Sequence, residues 1–343
     1  MNSQMLIQYE VRCCWPNTFP IFNYAIVFRN GVDFYESIHD KACDSDWACS
    51  DAMIYSFTGI KPIPDSLYVN WLSIYEKKQY CIETEIPAEE IAYLFSVIDE
   101  TNKDKLFEFL IVGIAPLGSI ALWIAGRKKS RKLLWLKAKN TIIDFSVFFP
   151  NHPNLTFSQI SKEYGITPNS RLDKTLFDKY MQQFTYRYLL LFEHWKKDQE
   201  EWMMYSDKEI IPELDYIEEA LFDGTHDKLH DGGLMNYHEA GKPKRLAVKW
   251  HIKKSEYTAY FWFVDEEIRS AFDSFYSAHP ETKTDFMIRI DSEKNKYELT
   301  LFCDGIKEPL LISESAYQLL VFKNKFEYFR SKNYDQPRGA WIW

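Results

Sequence analysis

The chain has 343 residues, 46% hydrophobic and 27% charged, so it is long enough for two packed units and too apolar to be mainly disordered. Its formal net charge is −9, and no long stretch concentrates Lys and Arg, which argues against nucleic acid as a partner. An acidic surface of this kind favours a basic protein partner or serves solubility alone.

The N-terminal region, residues 1–60, is predicted to consist mostly of strands and turns. Ile21 to Phe28 is typical of a strand, and Asn30-Gly31 is a turn signal directly after it. The first ten residues carry neither a basic start nor an apolar run, so no secretory signal is expected. Six cysteines without paired metal spacing favour reduced thiols, and these features together predict a cytoplasmic protein.

Two strands, a helix and a hairpin are predicted next. Leu67 to Ile74 and Gln79 to Ile86 are expected strands around a polar turn, and a helix is expected to begin near Pro87. Leu106 to Gly126 is long and apolar enough to resemble a membrane span. Its centre, Ala115 to Ser119, is turn chemistry, however, so we predict a hairpin covered on both faces and no membrane insertion.

A weak internal repeat supports this prediction. Leu67, Val69 and Trp71 match Leu246, Val248 and Trp250, and further matches continue in the same order, with one two-residue slip that is later undone. The second copy of the hairpin, Asp285 to Gly305, carries too many charges to cross a membrane.

The repeat predicts an α+β fold of two diverged antiparallel strand-strand-helix-strand-strand units. Residues 1–140 are the first sheet unit, residues 141–245 a mainly helical insert and loop, and residues 246–343 the second sheet unit with a C-terminal helix and an aromatic tail. Within the insert, apolar residues recur every three or four positions and predict a helix from Leu172 to Met204. The C-terminal helix is expected to start near Glu314.

The most site-like segment runs from Asp223 to Gly233. His226 and His230 are four positions apart, which on a helix places both imidazoles on one face for a metal ion, with Asp227 or Asp231 as a carboxylate ligand. The flanking Asp-Gly and Gly-Gly pairs favour a polar surface loop instead. No cofactor is expected.

The aromatic tail, Asn333 to Trp343, is a second candidate site. Trp341 and Trp343 are expected to be buried, because two exposed indole rings at a chain end are unfavourable. They pack against this chain, a second copy or a foreign partner, and Arg338 can stack beside them.

A set of residues in the first unit forms a recognisable pattern: Trp71, Ser73, Glu76, Tyr80, Pro87, Phe95 and the Gly118 to Gly126 strand with Trp123. It resembles a family of uncharacterised bacterial proteins known as domain of unknown function 2931. Many members look like envelope lipoproteins, whereas here Cys13 and Cys14 follow no apolar segment. Family genes often lie among type VI secretion cargo, where accessory proteins act as immunity factors. The resemblance implies no activity and no catalytic residue.

Three functions are consistent with these patterns. The preferred hypothesis is a non-enzymatic protein-binding factor, such as an immunity or antitoxin-like protein that neutralises a secreted toxin. The second is a metal-dependent hydrolase that uses His226 and His230. The third is a structural protein whose partner is a second copy of itself.

Overall fold

The protein is mostly β-sheet. The computed structural model describes residues 6–16, 19, 21–31, 33–38, 47, 53–54, 59–98, 105–126, 129–149, 151, 154–163, 173, 175–194, 203–204, 213–230, 236–252, 255–280, 282–291, 296–303, 305–310, 317–323 and 326–329. These are 58% strand and 17% helix, so the predicted α+β class is wrong. The chain divides into two compact units, Met1–Met181 with Asp223–Thr225, and Gln182–Phe222 with His226–Trp343.

The first unit contains two sets of hydrogen-bonded strands. Its strands are β1 (Leu6–Cys14), β2 (Ile21–Asn30), β3 (Asp33–Ile38), β4 (Met53–Ile54), β5 (Gly59–Pro62), β6 (Ser66–Ser73), β7 (Lys78–Glu85), β8 (Phe109–Ala115), β9 (Ser119–Ala125), β10 (Ser130–Lys137) and β11 (Lys139–Thr141). One set has the order β10-β9-β8-β1-β4, with β5 also on β1, and the other has the order β11-β7-β6-β2-β3. β1 and β8 are parallel, and the other pairs in both sets are antiparallel.

The described part of this unit contains four helices: α1 (Ala88–Ser96), α2 (Phe145–Phe148), α3 (Phe157–Glu163) and α4 (Leu176–Tyr180). α1 begins directly after Pro87, as predicted, and carries Glu89 and Glu90 in its first turn, where negative charge stabilises a helix. Its apolar stripe packs into a core formed with residues of β1, β2, β6, β8 and β9.

The predicted hairpin in the first unit is confirmed. Every residue of β8 and β9 is buried, which explains why this stretch is apolar on both faces. Its turn needs Gly118, which has a φ of 72° and whose added Cβ would lie 2.9 Å from the Ala138 carbonyl oxygen. None of the helices among the described residues is long and apolar enough to cross a membrane.

The described residues of the second unit form two sets of strands and one helix. Its elements are β12 (Phe184–His194), β13 (Met203–Met204), β14 (Glu213–Leu221), β15 (His226–Leu229), β16 (His238–Ala240), β17 (Pro243–Ile252), β18 (Ser255–Trp262), α5 (Asp265–Ala278), β19 (Thr284–Asp291), β20 (Lys296–Cys303), β21 (Ile306–Pro309), β22 (Tyr317–Lys323) and β23 (Phe326–Phe329). One set has the antiparallel order β23-β22-β18-β17-β14-β15. The other has the order β13-β12-β19-β20-β21, with β16 on β12 and a parallel β12–β19 pair.

Two predicted helices are wrong. The insert is not mainly helical, because β12 occupies residues 184–194 of the expected helix from Leu172 to Met204. Phe184 and Tyr188 fit both a helical and a two-residue period, whereas Tyr186 between them fits only the two-residue period, and aromatic residues favour strands. At the C-terminus, β22 replaces the helix expected from Glu314, because its residues pair along β18.

The two repeated stretches have the predicted order of elements, but their strands do not form the single sheets that were predicted. Residues 66–125 and 243–303 each contain two strands, a helix and two strands in that order. In both stretches, however, the strands before the helix belong to one set and those after it to the other, so neither stretch is a single antiparallel sheet. The two-residue slip in the repeat has a simple cause: residues 74–77 connect the first pair of strands, whereas residues 253–254 connect the second.

Candidate functional site

One face of the second unit's sheet carries charged and aromatic side chains instead of core residues. Leu246, Val248 and Trp250 of β17 point into the core and are fully buried, so their alternating neighbours point to the opposite side. Directly paired residues on adjacent strands share this side. We name it the aromatic face; its charged and aromatic members are Glu213, Tyr216, Glu218, His226, Lys228, Arg245, Lys249, His251, Glu256, Tyr260 and Trp262.

Cross-strand ion pairs order the charges on the aromatic face. The β17 strand is basic on this side and lies between β14 and β18, which supply carboxylates. Glu218 accepts from His226 at 3.1 Å and lies 3.7 Å from Arg245. Lys249 pairs with Glu256 at 2.8 Å. Opposite charges on neighbouring strands stabilise the sheet and fix its register.

Burial and charge act in opposite directions on Glu218. Burial alone would raise the pKa of its carboxyl group, but the hydrogen bond from His226 and the charges of Arg245 and Lys228 outweigh it and lower that pKa. Burial lowers the pKa of the Arg245 guanidinium, and the Glu218 carboxylate opposes this effect. Glu218 is therefore held ionised among its cationic neighbours.

Three aromatic rings lie on the aromatic face: Tyr216 and Tyr260 are partly exposed, and Trp262 is buried at the end of β18. The Lys228 ammonium lies 3.6 Å from the ring centroid of Tyr216, close enough for a cation–π interaction. Tyr260 and Trp262 are stacked, with centroids 5.7 Å apart and an interplanar angle of 20°. Burial, followed by nearby acidic and phenolic groups, raises the pKa values of Tyr216 and Tyr260. Both phenols therefore stay neutral hydrogen-bonding groups.

A β-bulge brings a further carboxylate to the aromatic face. The pairing of β14 with β17 shifts between Leu214 and Tyr216, so Asp215 is re-aimed and meets His251. The Nδ1 atom of His251 lies 3.0 Å from Asp215, and its Nε2 atom lies 3.0 Å from Glu213. The bulge thus ties the end of β14 to β17.

The predicted metal ligands are not arranged as the helical spacing requires. His226–Leu229 is strand β15, and on a strand two residues four positions apart are separated by about 13 Å. His230 instead lies 3.2 Å from the Asp215 carbonyl oxygen, and Asp227 accepts from the backbone N–H of Lys228 at 2.7 Å. Among the described residues, no group of three or more potential ligands could hold a metal ion.

The start of the same segment is a turn that belongs to the first unit. Asp223 is buried, and its carboxylate accepts from Lys132 at 3.2 Å and from the Thr225 backbone N–H at 2.9 Å. The indole N–H of Trp123 donates to the Asp223 carbonyl oxygen at 2.9 Å. These contacts give Asp223 a structural role.

The family pattern of the first unit also gathers in space. The Glu76 carboxylate accepts from the hydroxyl groups of Ser73 and Tyr80, each at 3.1 Å, and from the backbone N–H of Leu117 at 3.1 and 3.2 Å. Trp71 stacks on Tyr80 with ring centroids 5.3 Å apart. We name Ser73, Glu76, Tyr80 and Leu117 the Glu76 cluster. It joins the β6–β7 turn to the β8–β9 turn and uses its carboxylate for structure.

The β6–β7 hairpin of the first unit and the β17–β18 hairpin of the second differ in their back faces, by which we mean the side opposite the buried Trp71 and Trp250. In the first unit, Leu72 is fully buried against the apolar residues around α2 and α3. Beside it, Gln79 donates to Asn70 at 3.0 Å and accepts from the Asp144 backbone N–H at 3.0 Å. In the second unit, the equivalent positions belong to the aromatic face and are partly exposed.

Sequence analysis had identified His226 but not its neighbours on the aromatic face. The available signal was the two-residue alternation in Arg245 to His251 and Glu256 to Trp262, where charged or large polar residues alternate with apolar ones. Asp231, Arg338, Trp341 and Trp343 lie outside the described residues.

Comparison with known proteins gives one finding. A family model described as Protein of unknown function (DUF2931) matches residues 7–188, which is more than half of the chain. Curated proteins and solved structures give no match.

Proposed function

The chain belongs to the DUF2931 family of proteins of unknown function, and from this premise we propose that it acts by binding another protein through the aromatic face. The carrying observation is the clustering of Tyr216, Arg245, Tyr260 and Trp262 on one sheet face. Tyr, Trp and Arg are the residue types that dominate binding energy at protein interfaces.

The ion pairs around these rings support the same proposal. Because Glu218 and Lys249 are already bonded to neighbours on the sheet, their side chains are held in place before any partner arrives. These side chains then lose less conformational entropy when a partner binds. Cations that are already paired with carboxylates also attract a nucleic-acid backbone poorly, so a protein is the favoured occupant.

The finer part of the proposal concerns the biological role. We propose that the chain is a cytoplasmic, non-enzymatic immunity-like factor that masks a secreted toxin. This part rests on the resemblance of the family pattern around Glu76 to a family whose genes often accompany secretion cargo. A homo-oligomer is less consistent with a net charge of −9, because two identical acidic chains repel each other.

A capture experiment tests the protein-binding role. The wild-type chain, the double variant Tyr216→Ala/Tyr260→Ala and the control Tyr93→Ala are used as baits in cells that produce the protein. Tyr93 is an exposed tyrosine on α1 of the first unit, so its removal costs an aromatic ring without touching the aromatic face. We expect a protein that is captured by the wild type and the control but not by the double variant.

The captured protein is then purified and titrated into each bait by calorimetry. We expect 1:1 binding that weakens by several hundredfold in the double variant, since a hot-spot residue costs about 2 kcal/mol, or about thirtyfold, and two are removed. Equal affinities for the folded wild type and double variant would refute the aromatic face as the binding surface.

Co-expression tests the immunity-like role separately. If the captured protein is a toxin, it should stop growth when expressed alone, and the wild-type chain should restore growth while the double variant should not. A harmless partner that still binds the aromatic face would remove the toxin proposal and leave the binding proposal intact.

A further inference from the structure

In most ion pairs of the aromatic face, the acidic side chain is more exposed to solvent than the basic one. In the Lys249–Glu256 pair, the side chain of the carboxylate is 45% exposed and that of the lysine 25%. In the His251–Glu213 pair, the values are 74% for the carboxylate and 39% for the imidazole. The Arg245–Glu218 pair follows the same order with 20% and 14%, whereas Asp215 is slightly less exposed than His251.

The position of the cations on a central strand explains why they are less exposed than the carboxylates. Arg245 and Lys249 lie on β17 between two strands, and the Lys249 ammonium is within 5.9 Å of the Tyr216 ring centroid. Their charges are directed along the sheet, towards rings and carboxylates, while Glu213 and Glu256 extend towards solvent. Glu213 and Glu256 therefore present carboxylates to an approaching protein, while the exposed Lys228 lies over the Tyr216 ring on the same face.

We infer that the partner is a basic protein that places Lys or Arg side chains against Glu213 and Glu256, an inference that rests on the proposed function of the aromatic face. The net charge of −9 acts in the same direction at long range, because it attracts a positive partner and repels a second copy of this chain. Exposed charges at the rim of an interface act mainly on the association rate, whereas buried aromatic residues act mainly on the dissociation rate.

Charge reversal separates these contributions. The test variant is Glu213→Lys/Glu256→Lys, and the matched control is Glu85→Lys/Glu89→Lys, which changes the net charge equally through exposed residues of the first unit. The probe is the purified protein captured through the aromatic face, and association and dissociation rates are measured by surface plasmon resonance at about 50 mM and about 500 mM salt.

We expect the test variant to associate about tenfold more slowly than the control at low salt, and the two to converge at high salt, where the Debye length is a few ångströms. Equal association rates for test and control variants at low salt would refute the basic-partner inference while the protein-binding proposal stands. If the Tyr216→Ala/Tyr260→Ala variant bound the captured protein as tightly as the wild type does, the proposed function itself would be refuted. A captured protein with net negative charge would refute the inference as well.

Discussion

The two units build the same hairpin and use its two faces differently. In each hairpin a fully buried tryptophan stacks on the tyrosine opposite it, Trp71 on Tyr80 and Trp250 on Tyr257, with ring centroids 5.3 Å apart in both cases. The core faces are therefore equivalent. The back faces are not, because Leu72 of the first hairpin is fully buried whereas His251, its counterpart, is partly exposed and held by two carboxylates.

This difference separates structural polar groups from candidate binding groups. The Glu76 carboxylate bonds hydroxyl groups and a backbone N–H of another hairpin, so removing it would affect folding. The Glu218 carboxylate bonds side chains of its own solvent-facing sheet, so removing it would affect a surface. A carboxylate's partners, more than its burial, indicate which role it has.

The largest expected effect comes from exchanging the equivalent back-face residues for alanine. Leu72→Ala should lower the free energy of unfolding by about 3 kcal/mol, because it leaves a cavity beneath α2 and α3. His251→Ala should lower it by about 1 kcal/mol or less, since exposed ion pairs contribute little. Chemical denaturation of both variants checks this, and similar losses would contradict the contrast between a closed and an open back face.

A smaller effect is expected from the Glu76 cluster. Glu76→Gln keeps the shape of the side chain but replaces one acceptor oxygen by a donor that faces the Leu117 N–H and the hydroxyl group of either Tyr80 or Ser73, and should cost about 2 kcal/mol. Tyr80→Phe removes one of these bonds and should cost about 1 kcal/mol. If Glu76→Gln were neutral in thermal unfolding while binding to the captured partner was lost, the cluster would belong to the function.

Two glycines with positive φ provide a matched pair in the first unit. Gly31 has a φ of 62° with open space around it, so Gly31→Ala should cost about 1 kcal/mol through backbone strain alone. Gly118→Ala should cost about 2 kcal/mol, because the new Cβ would also press on the Ala138 carbonyl and the Tyr80 ring, both 2.9 Å away. Equal shifts in the unfolding midpoint would show that the β8–β9 turn can relax.

The smallest expected effect comes from the Tyr276 phenol, which is partly buried against the core of the second unit. Burial raises the pKa of Tyr276 to about 12, against about 10 in an unfolded chain. Because the folded state favours the neutral phenol, this contribution is fully present below about pH 10 and is lost as pH rises towards about 12. Tyr276→Phe should therefore gain stability relative to the wild type between about pH 10 and about pH 12. Parallel stability–pH curves for the two chains would contradict this.

Sequence reasoning predicted local elements better than their assembly. The α1 helix and the β8–β9 hairpin were predicted because their signals, an early pair of acids and a central turn, act within a few residues. The expected helix from Leu172 to Met204 was wrong because Phe184 and Tyr188 fit both periods, and the pairing of β12 with β19 is a contact between distant residues. The α+β class failed for the same reason: the sequence order of strands does not say which strands pair.

The candidate site shows the same limit. His226 was found as part of a motif, but its partner Glu218 follows from cross-strand register, and the metal hypothesis assumed a helix where the chain forms a strand. The alternation in β17 and β18 was visible in the sequence. The alternation alone does not show whether other elements cover the polar side of these strands, so it could not identify that side as an exposed face.

The most direct test of the aromatic face is hydroxyl-radical footprinting of the chain with and without the captured protein. We expect oxidation of Tyr216 and Tyr260 to fall several-fold in the complex, while oxidation of the exposed Tyr93 stays unchanged. Protection of Tyr93 with unchanged oxidation of Tyr216 and Tyr260 would place the interface on the first unit and contradict the account.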